Sequence, residues 1–177
     1  MSRRHTADRA AAVHGQWMRH GWEEAADGAT AVIELMRAHR IIVERTSDAL
    51  HPLGLSFARY EILMLLAFTR RGSLSIGRLG RHLQVHTTSV TSAVDRLQED
   101  GAVERVRCER DGRVVRAVLT GEGRVLAARA TEVLNASVFG NLGLNAGDLS
   151  TLLAVLRALR ANAGDFDVIS DRGRKAG

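Results

Sequence analysis

The segment from Thr87 to Leu97 combines small hydroxyl side chains with apolar residues at helical spacing. Val90, Val94 and Leu97 stand at positions i, i+4 and i+7, which places them on one face of a helix. Ser and Thr are indifferent helix formers, so their density on the other faces needs an explanation. Small hydroxyls let a helix approach a DNA groove closely and hydrogen-bond phosphates and base edges. The pattern predicts a DNA-reading helix, and a surface helix with incidental hydroxyls is the alternative.

The elements on either side of this helix are those that a DNA reader needs. Ser75 is placed to cap a short helix over 76–83, and residues 84–86 form a turn before the Thr87 helix. A short helix, a tight turn and a second helix form a helix-turn-helix, although an ordinary helical hairpin would give the same pattern. Two strands predicted over 103–106 and 114–119, with their apolar positions at residues 103, 106, 114, 115, 118 and 119, enclose Asp111-Gly112, which is a hairpin signal.

The predicted hairpin is strongly basic. Residues 105–116 contain five arginines and two acids. A basic hairpin after a helix-turn-helix is typical of the wing of a winged helix, where an arginine can enter a narrow minor groove. A solvated charged hairpin is the alternative reading of the same residues.

Composition limits the remaining functions. The chain has 177 residues, a formal charge of +5 and a single lysine, Lys175, among its 25 basic residues. Arginine suits phosphate and guanine, although a GC-rich genome would produce the same bias. One cysteine, Cys108, excludes an internal disulfide and a Cys-rich zinc site, and fits a reducing cytoplasm. Neither a membrane span, a secretory signal nor a P-loop or nucleophile-elbow motif is present, so we expect a cytoplasmic non-enzyme with no metal, cofactor or membrane partner.

The order of residues across the wing resembles a known family. The run Leu97-x-x-x-Gly101, then Arg105, then Asp111-x-Arg113-x-x-x-Ala117-x-Leu119-Thr120-x-x-Gly123 is similar to the signature of the MarR family, whose members are dimeric winged helix-turn-helix transcriptional regulators. The resemblance covers about residues 29–163. It implies that Arg113 enters the minor groove with Asp111 as its partner, and that Arg96 holds the DNA backbone or orients the wing. The predicted DNA-binding residues are Ser75, His86, Thr87, Thr88, Ser89, Thr91, Ser92, Arg96, Arg110 and Arg113.

The resulting fold class is mainly α with a small β-hairpin wing, a winged helix-turn-helix joined to a helical dimerisation region. We assign an arm with an added helix to 1–28, where Asp27-Gly28 ends it. The dimerisation helices take 29–55 and 121–163, the winged domain takes 56–120, and a flexible tail takes 164–177. The helix over 29–50 is apolar on more than one side, so we expect it to be buried between partners. A helix capped by Asn145 carries a leucine stripe from Leu149 to Leu159.

A ligand site is also expected where the first long helix meets the winged domain. Trp17 and Glu61 are similar to the ligand-site tryptophan and acid of a urate-responsive subgroup, but Ala93 stands where that subgroup carries an arginine. The similarity supports the added helix and does not favour urate as the ligand. The predicted lining residues are Trp17, Trp22, His39 and Tyr60, with a satisfied core histidine as the more frequent interpretation of His39.

These observations predict a sequence-specific double-stranded DNA-binding regulator. We expect a homodimer on a pseudo-palindromic operator, acting as a repressor that a small-molecule effector relieves. An architectural protein that binds DNA without sequence preference is the alternative function.

Overall fold

The computed structural model of the protein describes residues 11–107 and 114–165. In chain order the main elements are α1 (Ala11–Arg19), α2 (Glu23–Leu50), α3 (Phe57–Phe68), β1 (Ser73–Ser75), α4 (Ile76–Leu83), α5 (Thr87–Glu99), β2 (Val103–Arg107), β3 (Val115–Leu119), α6 (Gly121–Leu134) and α7 (Ala146–Asn162). A short 3-10 helix (His51–Leu53) follows α2, and a π-helical turn (Asn135–Phe139) extends α6. The chain divides into two compact units, one ending at Gly140 and one beginning at Asn141. The mainly helical fold with a small antiparallel sheet confirms the predicted class.

The break between the first two helices lies at Gly21, and the prediction that Asp27-Gly28 ends the first helix was wrong. Gly21 has φ 74°, a conformation that glycine adopts without steric cost. Helix α2 starts at Glu23 and runs through Gly28 without interruption. An isolated glycine inside a helix costs about 1 kcal/mol relative to alanine, which neighbouring helical hydrogen bonds offset.

The core of the first unit is built from one face each of α3, α5 and α6. Helix α3 starts where Ser56 Oγ accepts a hydrogen bond from the Arg59 amide at 3.3 Å. The fully buried large side chains come from these three helices, α2, α4, β2 and the π-helical turn: Leu50, Ile62, Leu63, Leu66, Leu79, Leu97, Leu134, Val90, Val94, Val103 and Val138.

The sheet contains one strand more than the sequence predicted. Strand β3 is central, with β1 and β2 antiparallel on either side, and Leu74 and Arg105 are both opposite Ala117. The three-residue β1 is too short to show a periodicity of its own. Side chains alternate along β2, so Val103 is buried while Val106 is 45% exposed. Val106, one of the apolar positions of the predicted strand, therefore lies on its exposed face.

Two helices leave wide apolar surfaces exposed in the single chain. On α2 these include Val32, Met36 and Ile41, each more than half exposed. In the second unit, α7 is capped by Asn145, whose Oδ1 accepts from the Asp148 amide at 2.9 Å, as predicted. All of α7 is described, and none of its residues is buried. The predicted tail over 164–177 lies outside the described residues beyond residue 165.

Candidate DNA interface and ligand clefts

Helices α4 and α5 form the predicted helix-turn-helix. Helix α4 starts at Ser75, whose Oγ accepts from the Arg78 amide at 3.3 Å, and it ends where Gln84 takes a left-handed conformation with φ 54°. Val85 and His86 complete the three-residue turn before α5. The Ser75 hydroxyl thus caps α4, and this structural role is additional to the DNA contact predicted for the residue.

The rotational setting of α5 agrees with the sequence prediction. Val90, Val94 and Leu97 are at most 1% exposed and pack into the core. The hydroxyl-bearing face is turned outward: Thr87, Thr88, Ser89 and Ser92 are exposed, and Thr91 is partly buried. Helix α5 therefore presents short polar side chains to solvent along its first two turns.

The N-terminus of α5 is held by a histidine. His86 Nδ1 accepts from the Thr88 amide at 3.4 Å, and the Thr88 Oγ1 lies 3.0 Å from the same nitrogen. No acidic residue stands in the first turn of α5. The partial positive charge of a helix N-terminus is therefore unopposed there by a carboxylate on the helix itself, which suits a phosphate.

The acidic C-terminal half of α5 is anchored by arginines from other elements. Asp95 forms an ion pair with Arg105 of β2. Asp100, directly after α5, forms an ion pair with Arg59 of α3 at 3.1 Å. These pairs fix α5 relative to the sheet and to α3, while Arg96 is exposed on the outer surface as predicted for a backbone contact.

Two of the five arginines assigned to a basic wing make contacts inside the domain. Arg105 binds Asp95, and Arg116 donates from Nε to Ser73 Oγ at 3.0 Å and from Nη2 to the Ser73 carbonyl at 3.1 Å. These two side chains join β2 to α5 and β3 to β1, so part of the positive charge counted for the predicted wing is used in contacts within the domain. Arg107 is exposed at the end of β2. Arg110 and Arg113, together with Asp111 and Cys108, lie outside the described residues.

Among the clefts described within residues 11–107 and 114–165, none gathers the four predicted ligand residues. Trp17 and Trp22 pack edge to face, with ring centroids 5.6 Å apart, and line a cleft of about 460 Å³ beside the start of α2. Tyr60 lines a different cleft of about 330 Å³ between α3 and α4. His39 lines neither of these clefts and is exposed on α2, so it is not part of the core of the single chain.

The α3–α4 cleft combines apolar walls with one carboxyl group. Its lining residues are Phe57, Tyr60, Glu61, Met64, Leu65, Phe68, His82 and Leu83. The Tyr60 hydroxyl lies 3.2 Å from Thr131 Oγ1 of α6, so it ties this wall of the cleft to the third core helix. Burial raises the pKa of Glu61 above its ordinary value. Sequence reasoning selected Tyr60 and Glu61 but missed His82, which comes from a neighbouring helix.

His82 and His86 are four residues apart, a spacing that could place two imidazoles on one face of a continuous helix. Helix α4 ends between them at Leu83, and Gln84 turns the chain. Within residues 11–107 and 114–165, no three potential ligands from His, Cys, Asp and Glu come together as a metal site. Nor does any helix in these ranges have the length and apolar character needed to cross a membrane.

The fold and the exposed α5 define a winged helix-turn-helix protein, and comparison with known proteins identifies the family. The sequence model of the MarR family matches residues 53–114. A helix-turn-helix transcriptional repressor of Mycobacterium tuberculosis is 34% identical over 112 residues, which are 63% of this chain and 79% of that protein. The chain belongs to the MarR family of transcriptional regulators.

Solved structures agree with this assignment. Sco5413, a MarR family transcriptional regulator from Streptomyces coelicolor, is 39% identical with a TM-score of 0.72, covering 80% of this chain and 98% of that one. Sco3205 from the same organism, solved in complex with DNA, is 22% identical with a TM-score of 0.70, covering 82% and 92%. The second likeness concerns the fold.

Proposed function

We propose that this protein is a sequence-specific double-stranded DNA-binding regulator whose α5 enters the major groove. The observation that carries the proposal is the exposed row of short hydroxyl side chains on α5, with its helix N-terminus free of acids. Such a surface allows close approach and hydrogen bonding to base edges. The repressor named among the relatives supports repression as the direction of control.

In this proposal the predicted contacts divide by task. Thr87, Thr88, Ser89, Thr91 and Ser92 face the groove. Arg96 holds the phosphate backbone beside them. Arg110 and Arg113, which lie beyond the described part of the wing, would enter the adjacent minor groove. Contacts to the DNA backbone position the protein, and contacts to the bases give specificity.

The active form would be a homodimer on a pseudo-palindromic operator in the cytoplasm. The exposed apolar surfaces of α2 and α7 support this, because large apolar patches on a single chain mark interaction sites. Two copies related by a two-fold axis would present their recognition helices about 34 Å apart, which is one turn of DNA.

Selection of bound sequences from a random DNA pool tests the proposal. We expect two inverted half-sites about one helical turn apart. Ser92→Ala should reduce discrimination between the selected site and random DNA by about 1–3 kcal/mol if it removes a base contact. Gln98→Ala, near the other end of α5, is the matched control and should retain it. Equal binding to all sequences with a steep salt dependence would support the architectural alternative instead.

We further propose that the α3–α4 cleft binds the small-molecule effector. Its apolar walls, single carboxyl group and volume of about 330 Å³ support this, since ligand pockets combine apolar surface with few polar groups. An effector that releases DNA must bind the free protein about 5- to 150-fold more tightly than the operator complex. Calorimetric titrations of the two forms check this, and equal affinity would eliminate the compound as an effector.

A further inference from the structure

His86 occupies a position where short oxygen-bearing side chains are usual. Ser, Thr, Asp and Asn are preferred at helix N-caps because an oxygen there accepts from the amides of the first turn. In this chain the imidazole takes that task at the start of α5, and it does so in the exposed region that faces DNA in the proposed function.

The two contacts of His86 Nδ1 fit one tautomer of the imidazole, with the ring hydrogen on Nε2. The Thr88 amide can only donate, so Nδ1, which lies 3.4 Å from it, must be the accepting nitrogen. A neutral imidazole with an unprotonated Nδ1 carries its hydrogen on Nε2. The Thr88 Oγ1 lies 3.0 Å from that same Nδ1, so the hydroxyl must also donate to it.

This arrangement orients the Thr88 hydroxyl. A hydroxyl has one hydrogen and two lone pairs, and here the hydrogen is directed to His86. The exposed side of Thr88 therefore offers an acceptor oxygen to the groove. In the major groove the base-edge donors are the N6 amino group of adenine and the N4 amino group of cytosine, whereas guanine offers acceptors and thymine an acceptor and a methyl group.

We propose that His86 is a positioning residue that fixes the Thr88 hydroxyl as an acceptor, so that α5 selects adenine or cytosine at the base that Thr88 reaches. This inference rests on the proposed function, because it requires α5 to read the major groove. In this role His86, a residue of the turn, affects base specificity by orienting Thr88.

The test compares base preferences selected from a random pool by six proteins: the full-length chain, the His51→Ala control, and the His86→Ala, His86→Asn, Thr88→Val and His86→Ala/Thr88→Val variants. The unchanged protein should enrich adenine or cytosine at one position per half-site. Thr88→Val keeps the side-chain shape without the hydroxyl and should reduce this preference about 3- to 10-fold. His86→Ala should reduce it equally while Thr88 is still present. His86→Asn should preserve it, because an asparagine oxygen can accept from both the amide and the hydroxyl.

The double variant distinguishes a positioning role of His86 from a role that only stabilises the start of α5. If both act through one contact, the double variant should lose no more preference than either single variant. His51→Ala removes an exposed histidine outside the helix-turn-helix and should change nothing. Thermal melts check that each variant is folded. If His86→Ala does not fold, the inference is tested by whether His86→Asn keeps the base preference that Thr88→Val loses.

Three results would overturn the inference. One is an unchanged preference in His86→Ala, and another is selection of guanine or thymine at the position that Thr88→Val affects. The third is a uniform loss of affinity across all sequences in Thr88→Val, which would place Thr88 on a phosphate. In each of these cases the unchanged protein still selects a site, so the proposed function survives. A protein that enriches no sequence at all would overturn both proposals.

Discussion

At the scale of single residues, Gly123 shows how closely α6 approaches the chain just before β2. A Cβ on Gly123 would lie well inside van der Waals contact with the Ala102 carbonyl oxygen and 2.8 Å from Leu119 Cδ1. The Gly123 amide also donates to Thr120 Oγ1 at 2.9 Å, and that hydroxyl donates to the Gly101 carbonyl at 2.8 Å. A glycine at this position therefore lets the helix cap and the loop after α5 pack together.

We expect Gly123→Ala to destabilise the fold by at least about 1–3 kcal/mol, because the methyl group meets backbone atoms that cannot move independently. Gly121→Ala is the matched control, since it lies two residues earlier and a Cβ there meets nothing within 4 Å. The control should leave stability unchanged or slightly raised, as alanine is the better helix former. Urea unfolding of both variants measures the difference, and equal effects would contradict the close approach.

At the scale of elements, the ion pair between Asp95 and Arg105 joins the recognition helix to the first strand of the wing. Both side chains are partly exposed, at 46% for Asp95 and 29% for Arg105. Partly exposed pairs contribute little to stability, so the main consequence is geometric: β2 has a defined orientation relative to α5. The pair would thus coordinate the two surfaces that are proposed to contact DNA.

Arg105→Gln should reduce the free energy of unfolding by no more than about 1 kcal/mol. Arg107→Gln, on the same strand but exposed, should leave it unchanged. In a double-mutant cycle with Asp95→Asn, most of the stability lost in Arg105→Gln should be coupling energy between the two side chains. Additive effects in chemical denaturation would show that the pair is not formed.

The carboxyl group of the α3–α4 cleft gives the fold a pH dependence. Burial raises the folded-state pKa of Glu61, so its ionisation disfavours the folded state. The penalty is absent below the ordinary glutamate pKa of about 4.3 and is complete above the raised pKa. Stability should accordingly fall as the pH rises through this interval.

Glu61→Gln should weaken that pH dependence and raise the melting temperature at neutral pH relative to the unchanged protein. Glu104→Gln, on the exposed side of β2, is the control and should do neither. Thermal melts recorded from pH 4 upward in one buffer series at constant ionic strength provide the measurement. A lower melting temperature of Glu61→Gln at neutral pH would indicate that the ionised carboxylate has a stabilising partner.

At the scale of the whole molecule, α2 and α7 both expose several large apolar side chains, and this is the surface that the proposed homodimer would bury. Several large side chains of α2 are more than 40% exposed, and α7 contributes Leu153 and Leu159 of its leucine stripe. Burying such surface against a second copy would provide about 25 cal/mol for each Å² removed from water. Assembly is therefore the physical task left to these helices in the proposed function.

Leu153→Glu should weaken the dimer, because it puts a charge on the apolar stripe of α7. Thr151→Glu, about 200° around the same helix, should not. Light scattering at micromolar concentration should give twice the 19.3 kDa chain mass for the unchanged protein and for Thr151→Glu. A monomeric unchanged protein would refute the proposed assembly.

The sequence by itself determined the elements whose signals are local. The setting of α5 followed from the spacing of Val90, Val94 and Leu97, and helix starts followed from the capping residues Ser75 and Asn145. Both signals depend on residues within one or two turns, where side-chain chemistry acts directly on the backbone. The residue order across the wing was specific enough to indicate the MarR family.

The tertiary structure decided what depended on distant partners. Gly28 is helical because α2 continues around it, and β1 exists because β3 supplies its hydrogen bonds. Arg105, one of the five arginines of the predicted basic hairpin, is paired with Asp95, ten residues earlier. Tyr60 and Trp17 line separate clefts because their helices place them apart. The position of a side chain relative to a residue far along the chain is fixed by packing, which no local pattern contains.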